Sequence, residues 1–418
     1  MAGFNLIGHL HATAGLGNTA RGFARVLERN GHDVVGLDID YGVDPKRKTV
    51  AVDFDIVESV EALPHAHTLW FTAIQLLPSL WLRRLRGLRE SRFRNAGFLF
   101  WELPVLPKAW VPAAQLFDAL VVCSTFVKQT LETSVESTPV IFAEHPLLLP
   151  PSLTPVNQVR AGLGIPDDAF VFCASFDLAG DVARKNPAAI VEVFRHAFPS
   201  DNSVQLVLKC NGDLAAASEH PAIRAVLAHA AADSRIRLVT SSMHYEEVLA
   251  LYNAADAYLS FHRAEGLGLG PMEAMALGKP VIATGFSGNT EYMTEQNSIL
   301  VPYRLVQTKG SQWQYTTRFA GKGAKWADID FAQAVHAVRQ IKGDAVLRDR
   351  ISHRARRDML ERQETAWEAA YIPLLIEALD ASGSILNRNS QASTLRWAEL
   401  LNPVLMKLNA KASFRSIF

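Results

Sequence analysis

The feature that most constrains this chain is an alternation: short β-rich apolar runs separated by amphipathic stretches of helical period, in two successive series. A strand buried on both faces reads as continuously apolar, and helices between such strands are what the crossovers of a parallel sheet require. The first series has runs at 4–7, 33–37, 68–72, 97–101, 119–123 and 139–142. The second has them at 170–175, 205–209, 236–239, 257–260, 280–283 and 298–301. Between the series, Pro146, Pro150, Pro151 and Pro155 fall within ten residues, a density that neither a helix nor a central strand tolerates. The pattern therefore predicts an α/β chain of two units, 1–150 and 151–363. Its 418 residues are more than one hydrophobic core usually organises. After Trp326 the pattern turns helical, at 331–341, 345–360 and 364–379.

Composition narrows the partners. Forty-two basic residues balance forty-two acidic ones, so no global field favours nucleic acid, and an anionic ligand must be met by a local patch. Cys123, Cys173 and Cys210 are odd in number and set apart in apolar runs, which reads as buried thiols in a reducing cytoplasm. The N-terminus lacks the basic and apolar regions of a signal peptide, and no stretch has the ~18 apolar residues of a membrane span. A cytoplasmic protein is expected. Peripheral membrane contact has two candidates: the arginine-rich segment from Arg83 to Arg94, and the amphipathic tail 395–418 with Trp397, Leu400, Leu401, Leu405 and Leu408.

Three motifs carry chemistry. Gly15, Leu16, Gly17 and Asn18 lie between the first strand and a helix, where glycines let the backbone approach a phosphate and the helix start offers N–H groups. The letters also satisfy the G-x-G-x-x-A dinucleotide pattern, with Asp38 at ribose distance. Against that reading, GHLHATA separates the strand end from Gly15. Second, Arg184 and Lys185 precede Asn186-Pro187 at a helix start, so a diphosphate there would meet two cations and a helix N-terminus together. Third, a strand, a glycine-rich loop and a helix carry FHRAEGLGLGPMEAMA. Glu265 opens the loop and Glu273 lies in the helix's first turns. A carboxylate accepts two hydrogen bonds from the vicinal hydroxyls of a sugar, and the amides of Gly266, Leu267, Gly268 and Leu269 suit phosphate.

On these residues the chain resembles retaining glycosyltransferases of family 4, whose E-x7-E motif is matched at full spacing by Glu265 and Glu273. The resemblance covers most of residues 1–380. It implies the GT-B fold: two Rossmann-like domains facing a central cleft, an acceptor-side domain at 1–150, a nucleotide-sugar-binding domain at 151–363, and a segment 364–418 whose helix crosses back to the first domain. It implies that Glu265 contacts the donor sugar and Glu273 the ribose, that Gly15, Leu16, Gly17 and Asn18 form the N-terminal donor loop, and that Arg184 and Lys185 stabilise the departing diphosphate. Trp326-Ala327-Asp328 and the stretch 286–293 are similar to bacterial members acting on surface polysaccharides. Trp101-Glu102-Leu103-Pro104 stands where many relatives carry a histidine-bearing loop. Glu102, and His145 just before the linker, lie where the cleft should be and are the acceptor-side candidates. The partners implied are a nucleoside-diphosphate sugar and a glycan or lipid-linked glycan.

No metal or other cofactor is expected. Asp38-Ile39-Asp40 and Asp328-Ile329-Asp330 resemble a metal-binding D-x-D, but the first ends a strand and the second caps a helix. The rival readings are a non-catalytic nucleotide-sugar-binding protein and an NAD-dependent oxidoreductase.

Overall fold

The structure is a computed structural model that describes residues 2–13, 15–39, 49–81, 85–90, 92–310 and 312–381; the tail 395–418, Asp40, Arg83 and Arg84 lie outside them. The chain divides into two compact units, one running to Leu148 and resuming at Gln363, the other Leu149–Arg362.

The first unit is built on a parallel seven-stranded sheet. Its strands are β1 (Gly3–Gly8), β2 (Asp33–Asp38), β3 (Asp55–Val57), β4 (His67–Phe71), β5 (Arg94–Phe98), β6 (Ala119–Val122) and β7 (Val140–Phe142). Their order across the sheet is β3-β2-β1-β4-β5-β6-β7. The central strands are buried on both faces, which is why their sequences are apolar without alternation. Phe23 of helix α1 (Gly15–Arg29) packs at 4.5 Å centroid separation on Phe98, which stacks on Phe71 of the neighbouring strand at 4.3 Å. Trp70 and Trp81, both fully buried, lie 4.2 Å apart.

The apolar residues of the arginine-rich segment are thus core residues. Trp81, Leu85, Leu88 and Phe93 are buried, and residues Arg86–Arg89 form a short 3-10 turn. Arg92 pairs with Glu90.

The second unit has a parallel six-stranded sheet of β8 (Phe170–Asp177), β9 (Val204–Asn211), β10 (Ile236–Val239), β11 (Ala257–Ser260), β12 (Val281–Thr284) and β13 (Ile299–Val301), in the order β10-β9-β8-β11-β12-β13. Helices Pro187–Ala197 and Phe331–Gly343 bury Val191, Phe194, Val338 and Ile341 against Phe172, Leu206, Leu259 and Ile282 of the sheet. An antiparallel ribbon, β14 (Tyr303–Gln307) with β15 (Lys325–Ile329), follows the last sheet strand. Sequence periodicity did not expose it, because β14 faces solvent along most of its length and carries no buried stripe.

In both sheets the strand order reverses beside the first strand of the unit, between β1 and β4 and between β8 and β11. Loops at the carboxyl ends of such a pair diverge, leaving a crevice where ligands bind in open α/β sheets.

The helical close also differs from expectation. Helix Ala345–Glu368 runs unbroken through 361–363 and stops at Ala369, which takes a positive φ of 54° before Tyr371–Ala381 begins. Chain contacts pass from the second unit to the first inside that helix, between Arg362 and Gln363. Gln363 then clasps Leu147, its amide donating to the Leu147 carbonyl at 2.9 Å and its carbonyl oxygen accepting from the Leu147 N–H at 2.8 Å. Among the described residues no helix is long and apolar enough to cross a membrane.

Candidate active site

Two loops of the second unit leave the sheet at its reversal point. After β8 the chain turns through Gly180 into the short helix Val182–Lys185, capped by Asp181, whose carboxylate accepts from the Arg184 N–H at 3.0 Å. After β11 it runs through 261–268 into the helix Leu269–Ala276. The loops meet at Glu265. Its Oε2 accepts from Arg184 Nη1 at 3.0 Å and its Oε1 from Lys185 Nζ at 2.5 Å.

The two cations are not equivalent. Arg184 is buried and also donates to the carbonyls of Ala264 at 2.8 Å and Gly180 at 2.7 Å, which makes it a strut across the two loops. Lys185 retains 24% side-chain exposure and is the cation of the pair with the more accessible head. Burial alone would raise the Glu265 pKa, but Lys185 first, then Arg184, override it and hold the carboxyl at about 2, so it is ionised at neutral pH.

Backbone contacts fix this arrangement. The Glu265 N–H donates to Ser287 Oγ at 2.7 Å, and its carbonyl accepts from the Gly288 N–H at 2.9 Å. A Cβ on Gly288 would stand 2.1 Å from the Gly266 oxygen, so only glycine lets the two loops approach. His262 braces the same junction. Its Nε2 faces two acceptors, the Phe286 carbonyl and Asn289 Oδ1, and therefore carries the proton, while Nδ1 accepts from Ser260. Burial lowers its pKa and keeps it neutral.

The glycines of GLGLGP have packing duties that the sequence did not disclose. Gly268 takes φ of 89° ahead of the helix, and a Cβ on Gly270 would stand 2.4 Å from the Tyr258 hydroxyl. The N–H groups of Leu267, Gly268, Leu269 and Gly270 find no acceptor among the described residues. Leu267 and Gly268 are buried, and buried donors are normally satisfied. The segment thus presents the positive end of a helix with donors unmet.

Glu273 lies further along that helix, buried, and no hydrogen bond joins it to Glu265. Burial raises its pKa to about 8, offset in part by a hydrogen bond from Tyr245. Tyr292, which donates to the Gly268 carbonyl at 2.5 Å, is within electrostatic reach of both carboxylates.

In the first unit, Gly15, Leu16, Gly17 and Asn18 form the first turn of α1. A Cβ on Gly17 would fall 2.3 Å from the Ala12 oxygen. Arg21, which the sequence reading passed over, is buried and donates to the carbonyls of Leu10 at 2.6 Å and Ala12 at 2.9 Å and to Asn18 Oδ1, clamping the loop before α1. Asp38 accepts from the His11 N–H at 3.2 Å and so serves that same loop.

His145 is buried beneath α1. Thr19 Oγ1 donates to the Gly15 carbonyl and accepts from His145 Nε2 at 2.9 Å, and burial takes the imidazole pKa down to about 4. Glu102 is half-buried between buried Trp101 and Leu103. Asp330 caps the helix Phe331–Gly343 by accepting from the Gln333 N–H at 3.0 Å, and Asp328 pairs with Arg304 and Arg263. Among the described residues no cluster of three or more histidine, cysteine, aspartate or glutamate side chains is placed to hold a metal ion. The three cysteines are buried and none is in a disulfide, and burial pushes the thiols of Cys173 and Cys210 up to about 12.

Residues 170–308 match the family model "Glycosyl transferases group 1". Comparison with curated protein sequences gives no match. Among solved structures, sucrose-phosphate synthase from Thermosynechococcus elongatus is similar with a TM-score of 0.64 at 16% identity, covering 92% of this chain and 100% of that one. Anabaena HepE, solved in complex with UDP and glucose, is similar at 0.62 and 13% identity, covering 91% and 100%. The trehalose-6-phosphate synthase OtsA gives 0.59 at 11% identity, covering 92% and 100%. The fold these chains share with this one is GT-B, with two Rossmann-like parallel-sheet units.

Proposed function

From a GT-B chain whose second unit carries a group 1 glycosyl transferase segment, we propose a retaining, metal-independent glycosyltransferase. It moves a sugar from a nucleoside-diphosphate sugar to a hydroxyl of a glycan or lipid-linked glycan, in bacterial polysaccharide assembly. The observation that carries this reading is the meeting of Lys185, Arg184 and Glu265 beside the unmet amides of Leu267–Gly270, at the sheet's reversal point.

In the transfer, the bond from the anomeric carbon to the phosphate oxygen breaks, the acceptor oxygen bonds to that carbon, and the acceptor proton leaves with the diphosphate. Negative charge grows on the departing diphosphate. Lys185 and the helix-end amides stabilise charge developing there, which is electrostatic catalysis. Arg184 holds Lys185 and Glu265 in register. Glu265, ionised, accepts hydrogen bonds from donor-sugar hydroxyls, and Glu273 takes those of the ribose. The E-x7-E spacing supports retention at the anomeric carbon.

A thermal-shift screen of UDP-, GDP-, ADP- and dTDP-sugars tests the donor, because a ligand that binds only the folded state raises its apparent stability. UDP-sugars come first, since the HepE structure holds UDP. No shift and no nucleotide release with any donor would overturn the reading. Proton NMR of the first-formed product tests retention, and an inverted anomer would remove it. Lys185→Ala should lower kcat ~100-fold or more while weakening diphosphate binding far less; unchanged turnover would remove Lys185 from the leaving group.

A further inference from the structure

The donor reading uses the turn that carries Arg184 and Lys185, and that turn is held from outside the stretch 170–308. Asp181 is completely buried and sits at φ 57°, ψ 105°, a backbone conformation that a non-glycine residue keeps only where its surroundings impose it. Its two carboxylate oxygens have different clients. One accepts from the Arg184 N–H at 3.0 Å, the other from the N–H of Gln312 at 2.7 Å.

Gln312 belongs to the excursion between β14 and β15, and other parts of that excursion converge on the same turn. Tyr315 is buried with its ring 5.6 Å from the Arg184 guanidinium carbon. A Cβ on Gly310 would stand 2.6 Å from Tyr315 Cβ and 3.1 Å from Asp181 Oδ2, so glycine is what allows the approach. Arg263, on which the Asp181 charge acts, donates its N–H to the Arg184 carbonyl at 2.7 Å, and its own carbonyl accepts from the Ala327 N–H of β15 at 2.8 Å.

We propose that Asp181 is a positioning residue for the Lys185–Arg184 pair, spacing the turn from the 310–315 segment by bridging the Arg184 and Gln312 amides; this rests on the donor reading above. The carboxylate touches no substrate. It acts by fixing where Lys185 stands, and a shift of ~1 Å in such a group costs on the order of 100-fold in rate.

Three variants separate this role from a merely structural one. Asp181→Gly relieves the positive φ and removes both acceptors. Asp181→Asn tolerates that φ and keeps one acceptor oxygen. Gly310→Ala wedges the segment away from Asp181 and changes no charge. The readouts are Tm, kcat with the donor, and calorimetric affinities for UDP and UMP, with GDP and GMP run in parallel.

Asp181→Gly should lower kcat about 100-fold and shrink the preference for diphosphate over monophosphate. Asp181→Asn, which keeps one acceptor and turns an NH2 donor on the other N–H, should fall between wild type and Asp181→Gly, and Gly310→Ala should follow Asp181→Gly. Wild-type kcat and preference in Asp181→Gly would overturn the proposal, as would equal losses for UDP and UMP. If Asp181→Gly does not fold, the other two variants decide: wild-type kcat and preference in Asp181→Asn, or an unchanged preference in Gly310→Ala, overturns it. A wild-type protein that binds none of the four nucleotides overturns the donor reading instead.

Discussion

Replacing Glu265 by glutamine removes the counter-charge from two cations while leaving the side-chain volume almost unchanged. The carboxyl falls from an ordinary 4.5 to about 2 in the folded chain. At about 1.4 kcal/mol per unit, that is about 3 kcal/mol of stabilisation at neutral pH, the same order as the cost of breaking a buried ion pair by removing one partner. For a unit the size of Leu149–Arg362, about 2–4 °C of Tm accompanies each kcal/mol, so a fall of about 6–12 °C is expected. Because the folded pKa lies below the unfolded one, the contribution is complete above ~4.5 and is lost as pH falls through about 2. Differential scanning calorimetry of both proteins from pH 3 to 7 isolates it, since every other carboxylate is common to the pair. The Tm gap should be largest near pH 7 and narrow below 4.5. A gap under ~1 °C at pH 7, or one independent of pH, would show that Glu265 does not hold the cations as described. Glu265→Gln should also bind UDP at least as tightly as wild type, because the carboxylate no longer competes with the diphosphate for Lys185.

Glu273→Gln should move stability in the opposite direction. Burial raises the wild-type carboxyl to about 8, so the stability of the wild type is undiminished below the unfolded pKa and is lost as pH rises towards 8. The variant should have the higher Tm at pH 8, the difference closing below ~4.5, while its UDP affinity falls; calorimetry showing wild-type affinity would remove Glu273 from the ribose. Gly288→Ala must push the Gly266 carbonyl from 2.1 Å to ordinary contact. It should lower Tm and abolish donor binding together, whereas a folded variant that binds UDP normally would show that the two loops can part without harm.

Much of the fold was legible. Runs at 236–239 and 257–260 are strands with those bounds, and most others fall within a residue or two, because central strands covered on both faces, such as Ala119–Val122, must be apolar throughout, while the edge strand 236–239 keeps enough apolar residues around Arg237 to be seen. The run at 97–101 was placed three residues late, since Phe100 and Trp101 are apolar for reasons of packing beyond the end of β5. β3 and the β14–β15 ribbon escaped notice; partly exposed strands leave little hydrophobic pattern. The break at Ala369 was invisible too, since alanine is an excellent helix former and only the surrounding chain imposes a positive φ there.

At the candidate site, residue types and spacing singled out Glu265, Glu273, Arg184, Lys185 and the glycines, because carboxylates, cations and flexible backbone are what the proposed chemistry would require. The amino-acid sequence by itself determined the α/β alternation and which charged groups lie near the carboxyl ends of strands. Only the tertiary structure decided how those charges are apportioned. It buried Arg184 as a strut, left Lys185 the more exposed of the two, ionised Glu265 and raised the pKa of Glu273. It also brought Gln312 to Asp181 across 131 positions of chain. Burial and long-range pairing set these differences, and both depend on neighbours that are remote in the chain, which local spacing cannot encode.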